Sequence, residues 1–257
     1  EYLPNSNDRT NNIKSPENGG VFWRNYLFNH TEEKPDSEEL FELLKEEAQK
    51  AEILWNDKVK EDSTAAIWEV NDWVRDVLEF TSEQERPHQP VRIYDLHIGR
   101  CGEHEDLTAA AARSCLIPCR GVERSSTDHV WNEFWDEGVW EQWEPVNNWI
   151  KVKHKEAKPH VGSCSARESE GKFVTVTEDY VVPQGKVSNL KFNVMDRNQK
   201  PVDGAIAIMY IKYTNPDNPD EYTFFFDAVG VTNNKGIVEF EVGTQREYYI
   251  RVNSAIG

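Results

Sequence analysis

The sequence predicts an α+β core followed by a small all-β sandwich. Three observations predict it. Apolar residues recur at helical spacing between about residues 36 and 80, and Cys101 stands ahead of an alanine-rich run at Ala109 to Ala112. Beyond Pro118 the pattern changes to alternating segments punctuated by turn residues, and it continues so to the end. Val182-Pro183-Gln184-Gly185 is the expected boundary, giving a core of residues 1–182 with a polar lead-in and a sandwich of residues 183–257.

The elements follow in order. Residues 1–20 are polar and read as a loosely ordered lead-in, and Val21 to Phe28 is the first apolar cluster. Asn29-His30-Thr31 matches the short acceptor pattern for N-glycosylation. Asp36 and Glu39 form a capping box ahead of a helix marked by Leu40, Leu43, Leu44, Ala51, Leu54 and Trp55. A second helix is expected from about Thr64 to Phe80, with Ile67, Val70, Val74 and Val77 as its buried stripe. Thr81 to Pro90 reads as a polar connector.

A third helix is expected to begin at or near Cys101 and reach about Ser114, ending before Pro118. His129 to Trp135 alternates, turns at Asp136-Glu137-Gly138 and returns as Val139 to Trp143, a hairpin. Cys164 to Arg167 and Phe173 to Thr177 read as a second hairpin turning at Glu170-Gly171. In the C-terminal part, strands are expected at Leu190–Val194, Gly204–Ile211, Tyr222–Phe226, Ile237–Val242 and Tyr248–Val252. Regular short strands with turns between them suggest a sandwich.

Composition bounds the function. The formal charge is −17, and from Pro183 onward 8 basic and 9 acidic residues nearly cancel, so the acidity sits in the core. That argues against a nucleic-acid backbone or an anionic membrane as partner. No apolar run approaches the roughly 18 residues of a membrane span. The chain begins at Glu1, which reads as a mature product or fragment, and a secreted, periplasmic or cell-surface location is expected. The four cysteines, Cys101, Cys115, Cys119 and Cys164, contain no CxxC pair, which argues against a structural zinc site, and a disulfide among the last three stays open.

Cysteine, histidine and carboxylate occur in the order of an activated thiol nucleophile. Cys101 lies in Gly-Arg-Cys-Gly-Glu, His129 follows in Asp-His-Val-Trp, and Glu144 in Trp-Glu-Pro. At a helix start, free backbone N–H groups and the helix dipole favour a thiolate and can hold a developing oxyanion. An imidazole on a strand can take and return the proton, and a carboxylate can fix its tautomer. The alternative for the same residues is a buried thiol with an unrelated surface histidine.

Gly99-Arg100-Cys101-Gly102-Glu103, Asp128-His129-Val130-Trp131 and Trp143-Glu144-Pro145 resemble the transglutaminase-like superfamily, with the peptide:N-glycanase core as the closest branch. Leu116 to Arg120 and Val176 to Tyr180 resemble later segments of that core. The resemblance implies a papain-like fold with the nucleophile helix packed on an antiparallel sheet. It implies Cys101 as nucleophile, His129 as base and then acid, and Glu144 as orienting group, with a thioester intermediate on an amide substrate. The substrate is then a protein, peptide or glycopeptide, with no cofactor and no metal. Trp131, Glu103 and His104 are the expected substrate contacts.

Three departures accompany it. The third position is usually Asp, His104-Glu105-Asp106 replaces the Trp-Ala-Asn of peptide:N-glycanases, and their paired CxxC motifs are absent. Val194-Met195-Asp196 with Gln199 to Ala205 resembles carboxypeptidase-regulatory or transthyretin-like sandwich modules. A non-catalytic binding or scaffold protein that kept the core is the competing reading. A metal site from His97, His104, Glu105 and Asp106 is a third.

Overall fold

Ile67, Val70 and Val74 recur every three to four residues, and the segment carrying them is helix α1 (Ala66–Val77). All three are fully buried. The helix ends at Leu78, which is already extended, so Phe80 belongs to a strand and not to the helix as expected. The computed structural model describes residues 48, 50, 51, 53–55, 65–83, 86–151, 162–167, 172–181, 187–244 and 246–255. The lead-in, the cluster at 21–28, the Asn29 pattern, the capping box at Asp36, the turn at Glu170-Gly171 and the boundary at 182–185 lie outside them. They form two units, Glu1–Gly121 with Val130–Val152 and Val122–His129 with Lys153–Gly257.

In the first unit, α1 leads into strand β1 (Glu79–Phe80), helix α2 (Pro90–Leu96) and strand β2 (Ile98–Gly99). Pro90 opens α2 at its first turn, where a missing N–H costs nothing, and His97 closes it in the left-handed region. The connector expected up to Pro90 therefore ends in a helix. β1 and β2 pair in parallel, Glu79 with Ile98 and Phe80 with Gly99. This short ladder fixes Gly99 two residues ahead of helix α3 (Cys101–Ser114), which starts and stops as expected.

Helix α3 is buried nearly all round. Ala109 to Ala112 let it approach its neighbours closely, and they share one core with Ile67, Val70 and Val74 of α1 and with Phe134, Trp143 and Ile150. The helix ends where Ile117 N–H bonds the Ala112 carbonyl and Leu116 turns left-handed, with Pro118 beyond. Strands β3 (Cys119–Arg124), β4 (His129–Asp136), β5 (Val139–Glu144) and β6 (Trp149–Ile150) follow. β4 and β5 form an antiparallel hairpin in the register Asn132↔Trp143 to Asp136↔Val139, and β6 continues from β5. The two-residue turn is Glu137-Gly138, both at positive φ, as such hairpins require. Arg120 on β3 pairs with Glu133 on β4 at 2.7 Å, a buried bond that fixes the strand order.

In the second unit, the later part of β3 pairs with β7 (Ser165–Arg167), and β7 with β8 (Phe173–Thr175). Strands β9 (Val187–Asn193) and β12 (Ile237–Gly243) form one antiparallel sheet. Strands β11 (Asn218–Val231), β10 (Ile206–Asn215) and β13 (Tyr248–Asn253) form another, in that order. Ala207 and Met209 of β10 share a core with Val238, Phe240 and Val242 of β12, a sandwich. Gly230 is tight here, because a Cβ would lie 2.6 Å from Val238. β11 extends beyond the expected Tyr222–Phe226 at both ends and runs through Pro219; as an edge strand it tolerates a residue with no N–H.

Candidate functional site

Cys101 is the first residue of α3 and is half-buried. Glu103, in the same turn, accepts the Arg100 N–H on Oε2 at 2.9 Å and the Arg86 Nε–H on Oε1 at 2.7 Å. The Arg100 guanidinium donates to the Ser82 carbonyl through Nε at 3.0 Å and through its terminal amine. The helix start is thus fastened on two sides, and the Glu103 charge is matched by Arg86 rather than left facing the thiol.

One turn on, His104 is held between two carbonyl oxygens. Its Nδ1 lies 2.8 Å from Arg100 O and its Nε2 3.3 Å from Leu78 O. The shorter contact assigns the proton of the neutral ring to Nδ1. Burial is the main influence on this group and pushes its pKa below 6.5, against the upward pull of the two carbonyls and of the Glu103 and Glu144 charges.

Glu144 ends β5 and is buried, with its Oε1 accepting from the Asn147 side-chain amide at 2.9 Å. The turn after it, Pro145–Asn147, closes at Asn148 in the left-handed region. Asn71 of α1 donates its side-chain amide to Asn148 Oδ1 at 2.8 Å and accepts the Trp143 indole N–H at 3.1 Å. Asn71 therefore braces both sides of Glu144. It was invisible in the sequence, where it is one polar residue inside an apolar stripe.

The first unit holds Cys101, Glu103, His104 and Glu144, and the second holds His129. His129 opens β4, half-buried, directly after a 3-10 turn at Ser125–Thr127 and a left-handed Asp128. Of the expected substrate contacts, Glu103 is 2%, His104 3% and Trp131 1% exposed. In this conformation they stand behind the surface. Phe134 and Trp143 are core, in edge-to-face contact at 5.8 Å, whereas Trp135 is exposed and pairs with Trp140.

The four cysteines are free thiols, with Cys115, Cys119 and Cys164 buried. Burial is the main influence on the Cys119 thiol and pushes it up to about 12. Among the described residues, no group of three or more His, Cys, Asp and Glu side chains is placed to hold a metal ion. Among them, too, no helix is long and apolar enough to cross a membrane.

Residues 54–153 match the sequence profile of the transglutaminase-like superfamily. The fold is α+β, with α3 packed on antiparallel strands. Two solved structures resemble the chain in part. One is a candidate cysteine protease from Cytophaga hutchinsonii, 15% identical over 53% of this chain and 52% of that one, TM-score 0.32. The other is red sea bream transglutaminase, 10% identical over 83% of this chain and 52% of that one, TM-score 0.38. The chain spans about half the length of each. No curated protein matches it by sequence.

Proposed function

We propose that the chain is a cysteine-nucleophile hydrolase or acyltransferase acting on amide bonds of a protein, peptide or glycopeptide. Cys101 attacks the carbonyl carbon, His129 takes the thiol proton and returns it to the leaving amine, and Glu144 orients the imidazole. The acyl group passes to Cys101 as a thioester, then to water or a second amine. The observation that carries the reading is the start of α3: Cys101 occupies its first position, with the turn fastened by Glu103, Arg86 and Arg100. Backbone N–H groups of that turn can donate hydrogen bonds to the oxyanion of the tetrahedral intermediate. The superfamily match over residues 54–153 spans all three side chains.

Glu103, His104 and Trp131, the expected substrate contacts, keep that role in this reading although they are buried in this conformation. The peptide:N-glycanase-like branch, export from the cell and a carboxypeptidase-regulatory-like role for the sandwich as spacer or binding arm belong to the same proposal. A second reading, a binding protein that kept the core, is favoured by the burial of those three side chains.

One experiment separates the two. Purified protein is assayed for peptide amide hydrolysis and for incorporation of a primary amine into a glutamine peptide, with and without iodoacetamide. The enzyme reading expects Cys101 to be alkylated first, with activity falling by at least about 10³-fold in Cys101→Ala. Labelling of all four thiols together, and only after unfolding, decides for the binding protein.

A further inference from the structure

Asp227 is a carboxylate the mechanism does not use, and it is buried, 4% exposed, in the sandwich of the second unit. It sits in a bulge of β11: Met209 faces Ala228 and Tyr210 faces Phe226, so Asp227 is the extra residue with no partner in the register. A bulge of this kind re-aims a side chain. Both carboxylate oxygens accept the Ser163 N–H, at 3.2 and 3.1 Å. Gly162 is pressed against the same group, since a Cβ there would lie 2.0 Å from Oδ1 and 2.7 Å from Ile211 Cδ1. The buried Ser126 hydroxyl stands beside the carboxyl, near enough to pull its pKa down though short of full hydrogen-bond geometry.

Ser126 is the middle residue of the 3-10 turn Ser125–Thr127, and that turn packs on β11. The turn also closes on itself, with Arg124 Nε–H donating to Thr127 Oγ1 at 2.8 Å and Asp128 N–H to Ser125 O at 3.1 Å. The next residue is His129. The loop at Ser163 is tied to the sandwich a second time, by Ser163 Oγ–H donating to Glu241 O at 3.0 Å.

We propose that Asp227 is a positioning residue for His129: by clasping the Ser163 loop and the Ser125–Thr127 turn onto β11, it makes the C-terminal sandwich the mount of the catalytic imidazole. The inference rests on the reading of His129 as the base. It gives the sandwich a role inside the reaction, since a base displaced by an ångström costs rate out of proportion to the displacement. Burying this carboxylate raises its pKa, an unfavourable arrangement in itself, opposed by Ser163, Ser126 and the Arg246 charge. A carboxylate kept at that cost is better accounted for by what it holds.

The test uses the intact chain and three variants. Asp227→Ala removes the clasp. Gly162→Ala opens it from the other side by driving a methyl group into the carboxylate. Asp227→Asn keeps an oxygen for the Ser163 N–H and is the rescue. Hydrogen exchange at residues 125–129 is expected to speed up at least about tenfold in the first two variants and to stay near wild type in the third, with α3 amides unchanged in all. Alkylation of Cys101 is then compared at pH 6 and pH 9. His129→Ala is expected to lose the reaction at pH 6 selectively, and Asp227→Ala and Gly162→Ala are expected to follow it.

Should Asp227→Ala fail to fold, Gly162→Ala carries both measurements. Unchanged exchange at residues 125–129 in the folded variants overturns the clasp. A wild-type alkylation ratio in the clasp variants, with His129→Ala altered, overturns the positioning role and leaves the proposed function standing. An unaltered His129→Ala overturns the base itself, and the positioning role falls with it.

Discussion

Asn71 accepts the Trp143 indole N–H at 3.1 Å, joining two residues 72 positions apart in the chain. With its bond to Asn148 it uses both ends of one amide to hold the residues that flank Glu144. Asn71 is fully buried, so nothing in the solvent can replace it. Asn71→Ala leaves a buried indole N–H without an acceptor and opens space beside it. Unfolding in urea should show a loss of about 2–4 kcal/mol. On the proposed function, activity should fall further than the folded fraction does, because the turn carrying Glu144 is released; a loss of stability with kcat unchanged would contradict this.

Thiol chemistry gives a second, independent measurement. Cys115, Cys119 and Cys164 are buried and only Cys101 is partly open. Cys119 is doubly protected, since burial also pushes its thiol up to about 12. An aromatic disulfide reagent at pH 7.5 should titrate one thiol in native protein and four in denaturant, and peptide mapping should place the first on Cys101. Rapid reaction of Cys119 in native protein would mean that β3 opens locally, contrary to its packing.

How much of this was legible in the sequence depended on whether the signal was local. The start of α3 was legible because a run of alanines follows Cys101, and its end because Pro118 cannot continue a helix. The β4–β5 hairpin was legible because Glu137-Gly138 separates two alternating runs. Helix α2 was missed because Pro90 looks like the end of a connector, although a proline serves equally well at a first turn. The β1–β2 ladder is two residues long and parallel, too short for any periodicity. The burial of Glu103, His104 and Glu144 was also hidden, since charged residues in a strongly acidic chain read as surface until Arg86, two carbonyls and Asn147 are known to meet them.

His104 makes stability depend on pH in a direction that can be worked out. Burial lowers its pKa below the 6.5 of the unfolded chain, so the folded ring stays neutral where the unfolded ring takes a proton. Its contribution is complete above about pH 6.5 and is lost as pH falls through that value toward the lower folded one. His104→Gln has no such titration. The stability difference between wild type and His104→Gln should therefore move in favour of the variant as pH drops from 7.5 to 5, read as urea midpoints. A difference that stays constant over this range would mean that the ring takes no proton preferentially on unfolding.

Gly99 tests whether the helix start depends on close approach of the backbone. A Cβ at this position would lie 2.4 Å from Glu103 Cβ and 3.1 Å from its Cγ. Glu103 Cβ belongs to the rigid first turn of α3, so rotating the side chain cannot relieve the clash; either β2 or the helix start must move. Movement on the helix side breaks the Glu103–Arg100 bond, and movement on the strand side breaks the Thr81 N–H to Gly99 O bond. Gly99→Ala should cost about 1–3 kcal/mol by overpacking. It should also slow alkylation of Cys101 while leaving the β-sandwich melting unchanged. Gly138→Ala is the matched control: it has open space around it and carries its strain in a hairpin turn, so it should lower stability without touching Cys101 reactivity. Equal effects of the two glycine variants on the thiol would show that general destabilisation, and not the packing of Gly99 on Glu103, governs the reactivity of Cys101.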